Sequence, residues 1–467
     1  MKKNDLMGKQ ITVVGGGISG VALACLAKDL GARVFLSEMK DSLRVDITEK
    51  LKYQGLEWET GGHSSRAWDA DLILLSSGIS PDSEAVNNAI SRNIQIQGEL
   101  DFVYPYLNGR LIGITGSNGK TTTTSLTSYL LKKAGFKVAE AGNIGMPLSN
   151  IVKEDWEYTV MELSSFQLYW SSCFSVDSAI ITNLAPDHID WHGSYKNYIE
   201  SKSRLINNVK ENGWVIVQKR DLPNINFTGK GKLALMSWDD PSDNSEYHPD
   251  AEIFIDKKNI WLRDMDGIKG LVEDAISIPL IGDHNRENIA MALSCLDLLR
   301  VSIQDLMFQD DIFKGFVPPP HRCQLVRVLN GVRYIDDSKG TNVAATIAAL
   351  SSIEGNKIII LGGKGKGEDY SPLARQVGDS AVAAVIIGEE RQLIANALSK
   401  EGFSDYYITD TMENAVNIAS SLAKEGTNIL LSPACTSWDI YENYKKRGEH
   451  FQSIVKNLSK EKNDSEK

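Results

Sequence analysis

The chain reads as an α/β protein of three domains: a Rossmann-like N-terminal domain, a central P-loop ATPase-type domain and a Rossmann-like C-terminal domain. Three observations predict this. Strand-like β-branched runs alternate with helix-length segments almost throughout. Two of these runs, QITVV and RLIGIT, fall straight into glycine-rich turns, GGGISG and GSNGKTTTT, that open helices. And 467 residues exceed what one hydrophobic core supports.

Taken in order, residues 1–100 supply the strands ITVV, RVFLSE and DLILLSS, with GVALACLAKDL as an intervening helix. Residues 101–317 supply LIGITG, KVAEAG, YTVMELS and SAIITN. Residues 318–467 supply VRYIDDS, KIIILGG, AVAAVIIG and TNILLSPA. Pro318–Pro320 cannot sit in a helix interior or a central strand, so they read as a linker. The stretch Lys219–Gly270 is polar and turn-rich and predicts little. KKRGEH reads as a solvated helix end and KNLSKEKNDSEK as a frayed tail.

Composition narrows the function. A net charge of −11 argues against nonspecific nucleic-acid binding. No apolar run approaches the ~20 residues of a membrane span, and no apolar segment follows the N-terminal lysines as in a signal peptide. Five scattered cysteines without CxxC spacing point to reduced thiols in a cytoplasm. Nothing marks a subunit interface, so a monomer is expected.

Gly15, Gly17 and Gly20 match G-x-G-x-x-G between a strand and a helix, and Glu38 closes the next strand. The pattern suits a dinucleotide with Glu38 on a ribose, another nucleotide, or a structural tight turn. The second loop is sharper. Gly116-Ser117-Asn118-Gly119-Lys120-Thr121-Thr122 offers backbone N–H groups to phosphates, a lysine to the terminal one and a hydroxyl to Mg²⁺. ATP or GTP is expected there, although Ile114 replaces the first glycine of the strict P-loop pattern. Glu162 ends the strand of MELSS as a metal ligand or as a buried helix cap. His188, Asp190 and His192 form H-x-D-x-H, readable as a zinc site or as a polar loop. On spacing alone Lys202 is a solvated helix lysine.

These pieces, in this order, resemble the ATP-dependent muramyl peptide ligases, a family that includes the folylpolyglutamate synthetases. The motifs are GITGSNGKTTTT, AGNIG, MELSSFQL, NLAPDHID, ESKSR, GDHNRENIAMA, HR after prolines and DDSKGTN, with SPACTSWD pointing to the member that adds D-glutamate. The resemblance implies that the first loop holds the uridine diphosphate of the substrate and the second holds ATP. It implies amide synthesis: the carboxylate of UDP-N-acetylmuramoyl-L-alanine becomes an acyl phosphate, which the amine of D-glutamate displaces. Lys120 and Thr121 would then serve the γ-phosphate and Mg²⁺. Glu162, His188 and a carbamylated Lys202 would hold metal, with two Mg²⁺ sites implied. A carbamate turns a cation into a carboxylate-like ligand, and its formation needs the amine neutral.

By the same resemblance Asn143, Ser164 and His188 meet the muramoyl substrate, and Ile18, Ser19 and Ser76 the uridine end. Asn285 and Asn288 lie on the adenine side, and Arg322 and Asp337 at phosphate and ribose. Lys339, Thr341, Lys366, Ser437 and Tyr444 surround D-glutamate and the acyl phosphate, with Lys339 catalytic beside Lys120, His188 and Lys202. Tyr444 stands where the family has phenylalanine, and GGKGKG offers Lys364 as well as Lys366 for one carboxylate role. Ser76-Ser77-Gly78 replaces Ser-Pro-Gly, and Glu38-Met39 is more acidic than the family pattern. Three rivals keep the residues but change the function: another ligase of the family, an NAD-dependent oxidoreductase fused to an ATPase-like domain, or a non-enzymatic nucleotide-binding regulator, against which the full set of metal and lysine positions counts. The DNPR motif of the diaminopimelate-adding relative is absent, and no hydride-transfer site accompanies GGGISG.

Overall fold

The computed structural model describes residues 6–143, 145–238, 247–256, 259–272, 282–302 and 312–459. Ile144 of AGNIG and the tail from residue 460 lie outside them. Three sheets organise the chain. The first comprises β1 (Gln10–Val14), β2 (Arg33–Ser37), β3 (Glu57–Glu59), β4 (Leu72–Leu75) and β5 (Gln95–Gly98), all parallel in the order 3-2-1-4-5. Strand order reverses between β1 and β4, the position at which open parallel sheets bind ligands beyond their C-terminal strand ends. The glycine loop follows β1 there and Ser76 follows β4. They pack so closely that a Cβ on Gly15 would lie 2.8 Å from that of Ser76.

The second sheet has β6 (Arg110–Thr115), β7 (Val138–Gly142), β8 (Tyr158–Glu162), β9 (Val176–Ile181), β10 (Val209–Gln218), β11 (Lys232–Trp238), β12 (Ala251–Asp256), β13 (Asn259–Asp264) and β14 (Gly267–Val272). Their order is 14-13-12-11-10-9-6-8-7. Here β6 lies between β9 and β8, all parallel, so the loops after these three strands share one end. The polar stretch after Lys219, which predicts little, in fact holds β11 to β14. The last two strands pair antiparallel as hairpins at the sheet's edge. Edge hairpins with a wet face carry the polar residues that hide them in sequence.

The third sheet has β15 (Gln324–Leu329), β16 (Val332–Asp336), β17 (Lys357–Gly362), β18 (Ala383–Ile387), β19 (Tyr406–Ile408) and β20 (Asn428–Leu431), in the order 15-16-20-17-18-19. Its centre is covered on both faces, so Ile358, Ile359, Ile360 and Leu361 are all fully buried in one continuous apolar run. The loops after β16, β20 and β17 are therefore neighbours.

The first two sheets belong to one compact unit. The third belongs to a second unit, which also takes in Ala185–Tyr195 and the first turn of helix Asp283–Leu298. One expectation fails here. KKRGEH is no solvated helix end, because helix Tyr444–Asn457 turns Arg447 inward until it is 1% exposed. Three backbone carbonyls accept its hydrogen bonds, as described below.

Candidate active site

In the first unit the site grows from the turn after β6. Gly116 (φ +145°) lets the chain pass Thr182, whose Oγ1 would lie 1.9 Å from any Cβ there. The residues just after β9 brace the turn: Ser117 N donates to Asn183 O (2.9 Å) and Asn118 N to Asn183 Oδ1 (2.9 Å). Gly119 (φ +83°) packs against Asn288, whose Oδ1 also accepts from Thr123 Oγ1 (3.2 Å). Helix Lys120–Lys133 then begins with Thr121 and Thr122 buried in its first turn. This is a strand, a tight turn and a helix N-terminus with its backbone donors at the loop.

Two lysines converge on this turn. Lys120 Nζ donates to Gly116 O and Ser117 O, both at 2.8 Å. Lys202, from helix Tyr195–Asn207, donates to the same Gly116 O (2.8 Å) and to Thr115 Oγ1 (3.3 Å). It is 1% exposed and lies over the Tyr198 ring at 4.6 Å. The solvated lysine that spacing predicts is thus one of the most deeply buried side chains. Tyr198 OH shares a hydrogen bond with Ser117 Oγ at 2.9 Å. Spacing gave no signal for Tyr198, Thr182 or Asn183.

Next to β6, β8 ends in Glu162, which is 1% exposed. Asn143 Nδ2 donates to its Oε1 (3.1 Å), while its Oε2 is buried with no hydrogen-bond partner among the described residues. A buried carboxylate oxygen left without a donor fits a cation ligand, because such a group is costly to leave unsatisfied. Ser164 serves a capping box with Gln167, whose Nε2 donates to Glu99 Oε2 (3.2 Å). Burial pushes Glu99 up to about 7.

At the first loop the exposed Ile18 opens helix Ile18–Asp29 and Ser19 follows it. Glu38 turns back on the loop: its Oε2 accepts from Gly16 N (2.6 Å) and its Oε1 from Lys40 N (3.0 Å). Gly17 is the N-cap of helix Ile18–Asp29 and supplies no side-chain cap, so the loop ends at a helix N-terminus of the kind that can receive an anion.

In the second unit Lys366 is buried and donates to Asp187 Oδ1 (2.7 Å), and Asn342 donates to Asp187 Oδ2 (3.2 Å). Thr341 Oγ1 lies 3.5 Å from the same ammonium. Lys364 is exposed, so of the two lysines in GGKGKG it is Lys366 that the fold encloses. Burial raises the nearby Glu368 to about 7. His188 takes a left-handed conformation (φ +53°) and caps the short helix Ile189–His192. Among the described residues no group of three or more His, Cys, Asp or Glu gathers as a metal site.

Lys339 donates to Tyr444 OH (3.2 Å) and lies over its ring at 4.3 Å. The hydroxyl that distinguishes Tyr444 from phenylalanine is therefore in use. Ser437 Oγ is buried without a partner among the described residues. Arg322 acts electrostatically on both His284 and Asp337; burial raises Asp337 to about 7 although Ser432 Oγ donates to it at 2.7 Å. Asn285 is buried in the first turn of its helix.

Comparison with known proteins fits this organisation. Residues 10–85 match the MurD N-terminal domain, 114–296 the Mur ligase middle domain and 321–435 the Mur ligase, glutamate ligase domain. Among solved structures, the UDP-N-acetylmuramate-alanine ligase of Thermotoga maritima shares the fold at a TM-score of 0.59 and 18% identity, over 96% of this chain and 99% of that one. A UDP-N-acetylmuramoylalanine--D-glutamate ligase of Geotalea uraniireducens is 34% identical over 97% of this chain and 98% of its own. One of Christiangramia forsetii is 36% identical over 97% and 100%. At this identity along nearly the whole of both proteins, the chain belongs to the UDP-N-acetylmuramoylalanine--D-glutamate ligase family.

Proposed function

We infer that the protein uses ATP to join D-glutamate to UDP-N-acetylmuramoyl-L-alanine, a step of peptidoglycan precursor synthesis, releasing ADP and phosphate. The observation that carries this reading is the turn after β6, where Lys120 and Lys202 meet at one carbonyl, beside a family match along the whole chain. Lys120 and the N–H groups of Gly116–Thr122 would hold the ATP phosphates. Fixed positive charge there offsets the repulsion between two anions and stabilises charge developing on the phosphoryl oxygens.

Mg²⁺ fits the residues present, on the evidence of the orphaned Glu162 Oε2. Glu162 and the Thr121 hydroxyl would hold it, with His188 and a carbamylated Lys202 for a second ion. When bound, the metal supplies charge neutralisation at the phosphates. Asn143 keeps Glu162 oriented. In the second unit Lys366, Thr341 and Ser437 would bind the carboxylates of D-glutamate, and Lys339 the acyl phosphate. Asn285, Asn288, Arg322 and Asp337 would hold the nucleoside end of ATP, and Ile18, Ser19 and Ser76 the uridine end. We further propose a cytoplasmic monomer; among the described residues no helix is long and apolar enough to cross a membrane.

The test is phosphate release from ATP with UDP-N-acetylmuramoyl-L-alanine and Mg²⁺, comparing D-glutamate, L-glutamate, L-alanine and no amino acid. Release that needs D-glutamate, with a matching amide product, is expected. Release with another amino acid would move the specificity within the family, and none at all would overturn the reading.

A further inference from the structure

Arg447 is a buried cation whose hydrogen bonds run to main-chain carbonyls. Its Nη2 donates to Ser338 O (2.8 Å) and Cys435 O (3.0 Å), and its Nη1 to Thr436 O (3.1 Å). Each of these carbonyls lies one or two residues before a side chain assigned to the amino acid or the acyl phosphate. Ser338 precedes Lys339, and Cys435 and Thr436 precede Ser437. A third loop is tied in through the same oxygen. Thr436 O also accepts from Lys364 N (3.0 Å), and Thr436 N donates back to Lys364 O (2.9 Å). Gly363 (φ +142°) allows this approach, since a Cβ there would lie 2.2 Å from Thr436 O and 3.2 Å from Arg447 Nη1. Lys366 stands two residues beyond Lys364.

A guanidinium presents its donors in one rigid plane, so it fixes the carbonyls it binds relative to one another. Burying a cation is costly unless its donors are satisfied, and here both Nη atoms find carbonyls while Nε is buried with no hydrogen-bond partner among the described residues. A side chain needed only to fill space here could be aliphatic. We propose that Arg447 is a positioning residue that sets the three loops carrying Lys339, Lys366 and Ser437 into one amino-acid-binding arrangement. The inference rests on the proposed function, because it takes those three side chains to face D-glutamate and the acyl phosphate.

The test compares wild type, Arg447→Lys and Arg447→Met in the full chain, with separate KM values for D-glutamate, ATP and the UDP-linked substrate. Thermal midpoint and near-ultraviolet circular dichroism report folding. Arg447→Met is expected to raise KM for D-glutamate by about tenfold or more while the other two KM values move less than about threefold. Arg447→Lys, which keeps the charge but loses the fork, is expected to fall between. If KM for D-glutamate stays at the wild-type value in folded Arg447→Lys and Arg447→Met, the inference is overturned. A rise in all three KM values together overturns it as well. Should Arg447→Met not fold, Arg447→Lys decides alone. Wild type that fails to need D-glutamate would sink the functional reading instead, so the two failures are told apart.

Discussion

Asn143 holds Glu162 by both its ends: the side-chain amide donates to Oε1 at 3.1 Å and the main-chain N–H to the glutamate's carbonyl at 2.8 Å. The grip leaves Oε2 buried without a donor among the described residues. Glu162→Gln keeps the shape and removes the charge. It is expected to lower kcat by about 10²-fold or more and to raise the Mg²⁺ concentration for half-maximal phosphate release. Unchanged Mg²⁺ dependence would remove Glu162 from the metal site.

Lys202 is buried against the Gly116 carbonyl and the Tyr198 ring. Lys202→Arg keeps a cation and cannot carry a carbamate. A loss of about 10²-fold or more in kcat is expected. Carbon-labelled bicarbonate should give a carbamate resonance in wild type that disappears in the variant. A variant with full activity would refute the carbamate reading.

Glu99 links the chain before β6 to the capping box after β8 through Gln167. Burial is what raises it, from 4.5 to about 7. A carboxyl raised on folding binds more protons in the folded state than in the unfolded one between these values. Its contribution to stability is therefore present at pH 4.5 and declines as pH rises to about 7, by up to about 3 kcal/mol. Urea unfolding at pH 5 and pH 8 should show this decline in wild type, and a smaller one in Glu99→Gln. Parallel curves for the two proteins would contradict it.

Tyr444→Phe removes the hydroxyl that accepts from Lys339 and leaves the ring beneath the ammonium. One hydrogen bond of about 1 kcal/mol corresponds to an effect of about fivefold on kcat/KM for D-glutamate. A loss beyond about 10²-fold would mean that the hydroxyl takes part in the chemistry.

Glu38 places a carboxylate on the Gly16 N–H of the loop that would receive a diphosphate. Neutralising it in Glu38→Gln should tighten UDP binding roughly threefold to tenfold in low salt, with the gain shrinking as salt rises. Calorimetric titration at two salt concentrations measures both effects. Weaker binding would instead make Glu38 a contact of the nucleoside.

The sequence exposes what is local and hides what is made at a distance. The turn Gly116–Thr121 is legible because strand, glycines, lysine and threonine are consecutive, and the structure builds them as a strand, a turn and a helix N-terminus. Lys202 is not legible in this way: its burial is created by Thr115 and Gly116, more than eighty positions earlier. The role proposed for it rests on family resemblance alone. Arg447 misreads for the same reason, since the carbonyl it meets at Ser338 lies 109 residues away. A charged run predicts solvation until something folds over it. The strands after Lys219 escape because their polar faces at the sheet edge break the apolar pattern on which strand prediction rests.

The contact between Lys366 and Asp187 has a consequence for affinity. The ammonium already holds a carboxylate, so the dehydration of that cation is settled when the chain folds and not when a ligand arrives. A glutamate side chain that takes Lys366 would trade places with an internal surrogate of the same charge and the same oxygen geometry. Such an exchange leaves Asp187 buried without its cation, a cost set against the new pair, so added negative charge on a competitor would gain little at this lysine. Discrimination between one dicarboxylate and another then falls to stereochemistry and fit, which gives an inhibitor chemist reason to spend effort on shape before polarity.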